Sequence, residues 1–265
     1  MTDVQTPRPT LSKGQIRSYT DQGYLVLRGV LNRADADDLR QEAHALMERL
    51  TSHQGMDATW ASARSSDSGQ TTQLLHCHNA QFQVGAFTRL LTDPRLMDPV
   101  SDLIGPNVQL HHTKLFVKPP ERGSPFPLHQ DHPFFPHEQH SVLAAMVHLD
   151  DAPLERGCLR VVPGSHRQGP LPHVPEGGFH LAPEDYPFEA ATPIEAEAGD
   201  VIIFSYFCVH GSGVNTSSEA RTTLLVQLRS AEDRPLDENS HPSRGQGMML
   251  RGIDPHGKQT FGIDS

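Results

Sequence analysis

The chain has 265 residues, with 22 basic against 32 acidic side chains and a formal charge of −10. That length buries a sizeable core, and one large domain is the simplest count. The acidic balance argues against a nucleic-acid backbone or an anionic membrane as the main partner. The three cysteines, Cys77, Cys158 and Cys208, lie far apart with no CxxC pair. A disulfide framework or a zinc site is therefore not expected, and a reducing cytoplasm fits. No signal pattern opens the chain and no apolar run reaches 18 residues, so a soluble, unanchored protein is expected.

Residues 1–10 read as a flexible arm. A first helix is expected over 11–22, with Thr10 or Ser12 as cap and Gly23 as its stop. Residues 24–27 form a short apolar strand. Asn32 can cap a long helix from 33 to about 50, whose Leu39, Ala43, Leu46 and Leu50 fall on one face. The Ser/Gly-rich stretch 51–72 reads as a loop. Two short helices, 84–91 and 96–104, are split by Asp93-Pro94. These elements make a mostly helical flank over 11–104.

From residue 105 the texture turns to β. Strands are expected over 108–117, 143–149, 158–162, 201–209 and 222–228. A Pro-, Gly- and His-rich insertion without a period fills 167–192. Many short strands with turn signals suggest a sandwich or barrel core over 105–229 rather than βαβ units. The polar tail, 230–265, can be anchored by Met248-Met249-Leu250.

The chemistry centres on Pro127-Leu128-His129-Gln130-Asp131. In an extended segment His129 and Asp131 point the same way, and Pro125, Pro127 and Pro133 favour extension. A His-x-Asp alone is weak, since 17 histidines yield about one match by ordinary Asp usage. A second match, His148-Leu149-Asp150, reads as a strand end running into a turn. A third ligand is offered by His210, at the end of the strongest strand pattern. Alternation there puts Ile202, Phe204, Tyr206, Cys208, His210 and Ser212 on one face. Two imidazoles and a carboxylate with open positions opposite suit a non-heme Fe(II) oxygenase. The plain alternative for His210 is a histidine satisfied by hydrogen bonds at a strand end.

Arg221 opens the following strand. If the strands of His210 and Arg221 pair as antiparallel neighbours, Arg221 and Ser212 reach one cavity and can hold a carboxylate. A surface arginine at a turn is the plain alternative. Lys114 could add a second positive charge or lie on a solvated face. Gln227 and Arg229 share the phase of Arg221.

Several stretches together resemble the phytanoyl-CoA dioxygenase family of Fe(II)/2-oxoglutarate oxygenases. They are Gly23-Tyr24-Leu25-Val26, Gly105-Pro106-Asn107, His112-Thr113-Lys114, Lys118-Pro119-Pro120, the His129 motif, Gly157-Cys158-Leu159 through Val162-Pro163-Gly164-Ser165-His166, and His210-Gly211-Ser212 with Asn215 and Arg221. The resemblance spans about residues 11–229. It implies a mainly β fold, a double-stranded β-helix (jelly-roll, cupin-like) with helices outside. It implies iron on His129, Asp131 and His210, with 2-oxoglutarate anchored by Arg221 and Ser212 and dioxygen as oxidant. Lys114, Met146 and His76 occupy positions that line the cosubstrate site in relatives. Asp131 stands where halogenating relatives carry a small residue, so hydroxylation of a small organic molecule is expected. The alternatives are an acyl-CoA hydroxylase, for which Arg156, Arg160 and Arg167 could bind phosphates, and a cupin-like metal- or ligand-binding module without catalysis. The sequence sets no oligomeric state.

Overall fold

A computed structural model describes residues 10–52, 74–121, 123–175, 179–237 and 243–257. Residues 1–9 of the expected arm and 53–72 of the expected loop lie outside these. Helix α1 (Lys13–Gln22) starts at a capping box, in which the Ser12 side chain accepts from the Gln15 amide and the Gln15 side chain answers the Ser12 N–H. It ends at Gly23, whose φ of 81° suits glycine. Strand β1 (Tyr24–Leu27) follows. The Asn32 side chain then accepts from the Asp35 amide at 2.9 Å and starts α2 (Arg33–Ser52). Strand β2 (Leu75–His78), α3 (Gly85–Leu90) and α4 (Pro94–Ile104) complete the flank, with Asp93 capping α4 and Pro94 in its first turn.

The core is built from β3 (Val108–Lys118), β4 (Phe126–His129), β5 (Leu143–His148), β6 (Leu159–Val161), β7 (Thr192–Ile194), β8 (Val201–Ser205), β9 (His210–Ser212), β10 (Arg221–Ser230) and β11 (Met249–Arg251). The larger sheet runs β1-β8-β5-β10-β3-β11, with β2 also paired to β3. The smaller runs β4-β9-β6-β7. The two form a jelly-roll sandwich. Alternation divides each central strand between two cores. Leu143, Ala145, Val147, Ile203, Leu224 and Val226 pack under the helices. Ala144, Met146, Ile202, Phe204 and Leu225 face Leu159, Val161 and Ile194 of the smaller sheet. Covered on both faces, these strands read as near-continuous apolar runs.

Two expectations are corrected. The 201–209 strand stops at Ser205, where the Cys208 amide donates to the Ser205 carbonyl in a turn. The chain crosses there to the other sheet, and β9 begins at His210. Tyr206 is thereby turned into a separate aromatic cluster with Phe135 and Phe207. Nor are the strands of His210 and Arg221 neighbours: β9 pairs with β4 and β6, whereas β10 pairs with β3 and β5. Their side chains line one cavity from the two sheets instead. The 167–192 insertion folds against the outside of the smaller sheet, where Leu181 and Ala191 pack on Leu128 and Val209. The tail is anchored by Leu250, buried on β11.

Candidate metal centre

The pairing of β4 with β9 sets His129 directly opposite His210, with ring centroids 4.3 Å apart. Glycine at 211 permits this approach, because a Cβ there would lie 2.6 Å from the Phe126 carbonyl oxygen. Asp131 arrives by a different route from the one alternation suggests. Strand β4 ends at His129, and Asp131 has helical dihedrals (φ −78°, ψ −25°) at the start of a 3-10 turn over His132–Phe134. Its amide donates to the Tyr206 carbonyl at 3.0 Å, which fixes that turn. One carboxylate oxygen then stands 3.7 Å from His129 Nε2 and 3.8 Å from His210 Nε2. Ligand atoms of all three buried residues lie within 4.8 Å of one another.

Both imidazoles are oriented by backbone. His129 Nδ1 donates to the Pro127 carbonyl at 2.8 Å, and His210 Nδ1 to the Cys208 carbonyl at 2.9 Å. This fixes the tautomer that turns the Nε2 lone pair toward the common point. The other oxygen of Asp131 accepts from Gln227 Nε2 at 2.6 Å. Gln130, between the ligands, faces away. Its side chain donates to the Gly169 and Phe207 carbonyls and accepts from the Leu171 amide, tying the insertion to the motif. Burial, reinforced by the neighbouring His210, pushes the His129 pKa down to about 3, so the ring is neutral. For Asp131 burial acts upward, but His210, His129, Lys114 and the Gln227 amide together outweigh it and hold the carboxyl below its ordinary value. A neutral imidazole at His129 and an anionic carboxylate at Asp131 are forms in which a divalent metal is bound.

A cavity of about 360 Å³ opens on this point. It is lined by all eight residues given metal or cosubstrate roles from the sequence: His76, Lys114, Met146, His129, Asp131, His210, Ser212 and Arg221. His76 comes from β2, which lies between the expected 51–72 loop and the helix expected over 84–91, where no element is expected from sequence. Arg221 is 2% exposed, and its Nη1 donates to the Gly157 carbonyl. Directly opposite in register stands Lys118, fully buried, which donates to Ser212 Oγ at 2.8 Å and to the Gly213 carbonyl. Burial, together with Arg221, drives the Lys118 pKa well down, and burial lowers Arg221 to about 10. Like charges opposite each other in a sheet are unfavourable, and among the described residues no carboxylate stands within ion-pair reach of either. Two buried cations and a hydroxyl so arranged make an anion site.

Lys118 and Gln227 are the functional candidates that sequence reasoning undervalued. Lys118 was quoted only within a motif, and its signal was its place one step before Pro119-Pro120 at the strand end opposite Arg221. Arg229 does not reach the cavity. The β10 alternation runs on unbroken against β5, but Arg229 lies at the strand end and its guanidinium donates to the Asp233 carbonyl. Among the described residues no third ligand joins His148 and Asp150, and Asp150 accepts from the Thr222 amide. Arg156 pairs with Glu219 and Arg160 donates to the Ala191 carbonyl, so neither presents a phosphate patch.

Residues 19–223 match the family model described as phytanoyl-CoA dioxygenase (PhyH). The chain belongs to the phytanoyl-CoA dioxygenase family. Relatives include a probable alpha-ketoglutarate-dependent hypophosphite dioxygenase of Stutzerimonas stutzeri, 28% identical over 84% of this chain and 80% of that one. A probable phytanoyl-CoA dioxygenase of Caenorhabditis elegans is 30% identical, with 81% and 74% covered. Among solved structures, the non-heme alpha ketoglutarate dependent epimerase SnoN from nogalamycin biosynthesis superposes with a TM-score of 0.70 at 25% identity, over 90% of this chain and 98% of that one. Among the described residues no helix is long and apolar enough to cross a membrane.

Proposed function

We propose that this member of the phytanoyl-CoA dioxygenase family is a non-heme iron and 2-oxoglutarate-dependent oxygenase that oxidises a small organic molecule, with hydroxylation of an aliphatic C–H bond as the reaction. The observation that carries this reading is the convergence of His129, Asp131 and His210, with both Nδ1 atoms already bonded to carbonyls and both Nε2 atoms turned to one point. The donor set fits Fe(II): two nitrogens and one oxygen on one side, with the cavity on the other. Iron bound here would activate dioxygen, which is the oxidant, with 2-oxoglutarate as its two-electron co-reductant; one oxygen atom would go to the C–H bond and the other to succinate, with carbon dioxide released.

The chain's own residues do the rest. His129, Asp131 and His210 hold the metal, and Gln227 keeps Asp131 turned to it. Arg221, Lys118 and Ser212 bind the distal carboxylate of 2-oxoglutarate, so the keto-acid end reaches the metal in a fixed orientation. Met146, Leu225, Phe116 and Phe204 line the cavity with apolar surface and exclude water from it. The cavity is at the small end of ligand sites, which run from about 300 to 1,000 Å³, and the cosubstrate shares it. That supports a small substrate over an acyl-CoA.

The test is conversion of 2-oxoglutarate to succinate with Fe(II), dioxygen and a panel of small organic substrates. The expected result is substrate-stimulated succinate formation that Asp131→Ala abolishes. Equal succinate formation by Asp131→Ala would refute the ligand assignment.

A further inference from the structure

On the footing of the iron and 2-oxoglutarate reading, we propose that the substrate is a small organic anion whose carboxylate or phosphate-like group is bound by Lys114. The whole protein is acidic, yet its cavity is not. Among the described residues Asp131 is the sole acidic side chain lining it, against Lys114 and Arg221, with Lys118 behind Ser212 as a third cation. Three cations less one carboxylate leave two positive charges. A ferrous ion and the 2-oxoglutarate dianion cancel each other, so the loaded site keeps those two. A low-dielectric cavity with that surplus favours an anion and rejects a cation.

Lys114 is the group positioned to take it. It faces inward on β3, next to Leu225 of β10 and His78 of β2. Its register lies four residues along β3 from the Lys118–Arg221 pair, roughly 13 Å of strand. Around Lys114 the β2 side of the cavity carries His76, His78 and Leu74. The charge that reaches it is that of Asp131, whose carboxylate accepts from Gln227 and faces the metal point between the two histidines. No carboxylate stands within ion-pair reach of Lys114 among the described residues. A partly buried ammonium so placed loses hydration without a counter-ion, a cost that an anionic substrate reverses.

The test uses the full chain, loaded anaerobically with Fe(II) and saturating 2-oxoglutarate, whose chelate is followed by its visible charge-transfer band. Pentanoate, butylphosphonate and pentylamine, of similar length, are titrated calorimetrically into this complex and into the Lys114→Met and Lys114→Arg complexes. Wild type and Lys114→Arg are expected to bind the two anions at least tenfold more tightly than the amine. Lys114→Met is expected to lose about tenfold in anion binding, the scale of one charge-assisted hydrogen bond, with each variant compared at a 2-oxoglutarate concentration that saturates its own band. Should Lys114→Met not fold, the wild-type preference and its retention in Lys114→Arg decide. A normal band with equal, undetectable or amine-favouring probe binding overturns the anionic substrate while leaving the iron and 2-oxoglutarate reading intact. Weakened 2-oxoglutarate binding in Lys114→Met, with probe binding unchanged, overturns it by assigning Lys114 to the cosubstrate. Absence of the band in wild type removes the underlying reading, and this proposal with it.

Discussion

Replacing Gln227 with leucine isolates the group that supports the metal without touching a ligand. The amide donates to Asp131 Oδ2 at 2.6 Å in a buried setting. A hydrogen bond to a charged partner contributes about 1.5–3 kcal/mol, and groups that orient metal ligands typically govern 10–100-fold in affinity. The two scales agree, since tenfold is about 1.4 kcal/mol. Leucine keeps the volume and also removes Gln227 Oε1, a buried atom without a hydrogen-bond partner. The metal-free chain should lose up to that hydrogen bond's contribution to folding, offset in part by removal of the unpartnered Oε1. The Asp131 carboxyl loses one of the influences that hold its pKa down, so protons compete better with metal and the deficit widens as pH falls. The assay is anaerobic Fe(II) competition against a chromophoric chelator at pH 7.5 and 6, beside thermal unfolding of the metal-free variant. A 10–100-fold loss is expected at the higher pH. An affinity within twofold of wild type, with the fold intact, would refute the role given to Gln227.

Other substitutions probe the remaining parts. Arg221→Ala and Lys118→Met each delete one of two buried cations, a change that costs about 2–5 kcal/mol where the partner charge is bound and buried. Each should raise the 2-oxoglutarate KM by at least tenfold; an unchanged KM would move the anchor elsewhere. Gly157→Ala forces a side chain into a left-handed conformation (φ 65°) with its Cβ 2.3 Å from the Gly213 carbonyl oxygen. It should destabilise by about 2 kcal/mol or more and weaken 2-oxoglutarate binding, because the Gly157 carbonyl receives Arg221. A wild-type melting temperature would contradict that packing. Burial holds the pKa of His129 and His148 to about 3 and of His132 to about 4. Unfolded, each titrates near 6.5, so the unfolded chain binds more protons throughout the interval between. Metal-free stability should fall as pH drops from about 6.5 to 4, with unfolding near pH 5 taking up about three protons at these sites. A flat stability profile across that window would show the three rings are not buried neutral.

Much of this site was legible in the sequence because the motifs lie where the chain has few choices. Ser12, Gly23, Asn32 and Asp93 mark helix ends by local hydrogen bonding, and the structure uses all four. Prolines around His129 kept that segment extended as far as the ligand. Alternation failed at two places, for the same reason. Asp131 and Tyr206 both sit in turns that hydrogen-bond to each other, the Asp131 amide to the Tyr206 carbonyl. A period of two cannot register a turn built from a contact 75 residues away in sequence. Arg221 and Ser212 were rightly associated but by a pairing that does not exist, since the sandwich brings them together from different sheets. Lys118 was the harder residue to see. Its meaning comes from standing opposite Arg221 in the β3–β10 register, and register is a tertiary fact. Strand β2 was missed because Leu75-His76-Cys77-His78 is too short and too polar to show a period.

Anaerobic titration of the Fe(II)-loaded chain with 2-oxoglutarate, read by the visible charge-transfer band of the ferrous keto-acid chelate, tests the central claim most directly. A saturable band at one 2-oxoglutarate per chain is the predicted result, abolished in His210→Ala and Asp131→Ala and shifted to much higher 2-oxoglutarate in Arg221→Ala. No band in the wild-type protein, or an undiminished one in His210→Ala and Asp131→Ala, would contradict it.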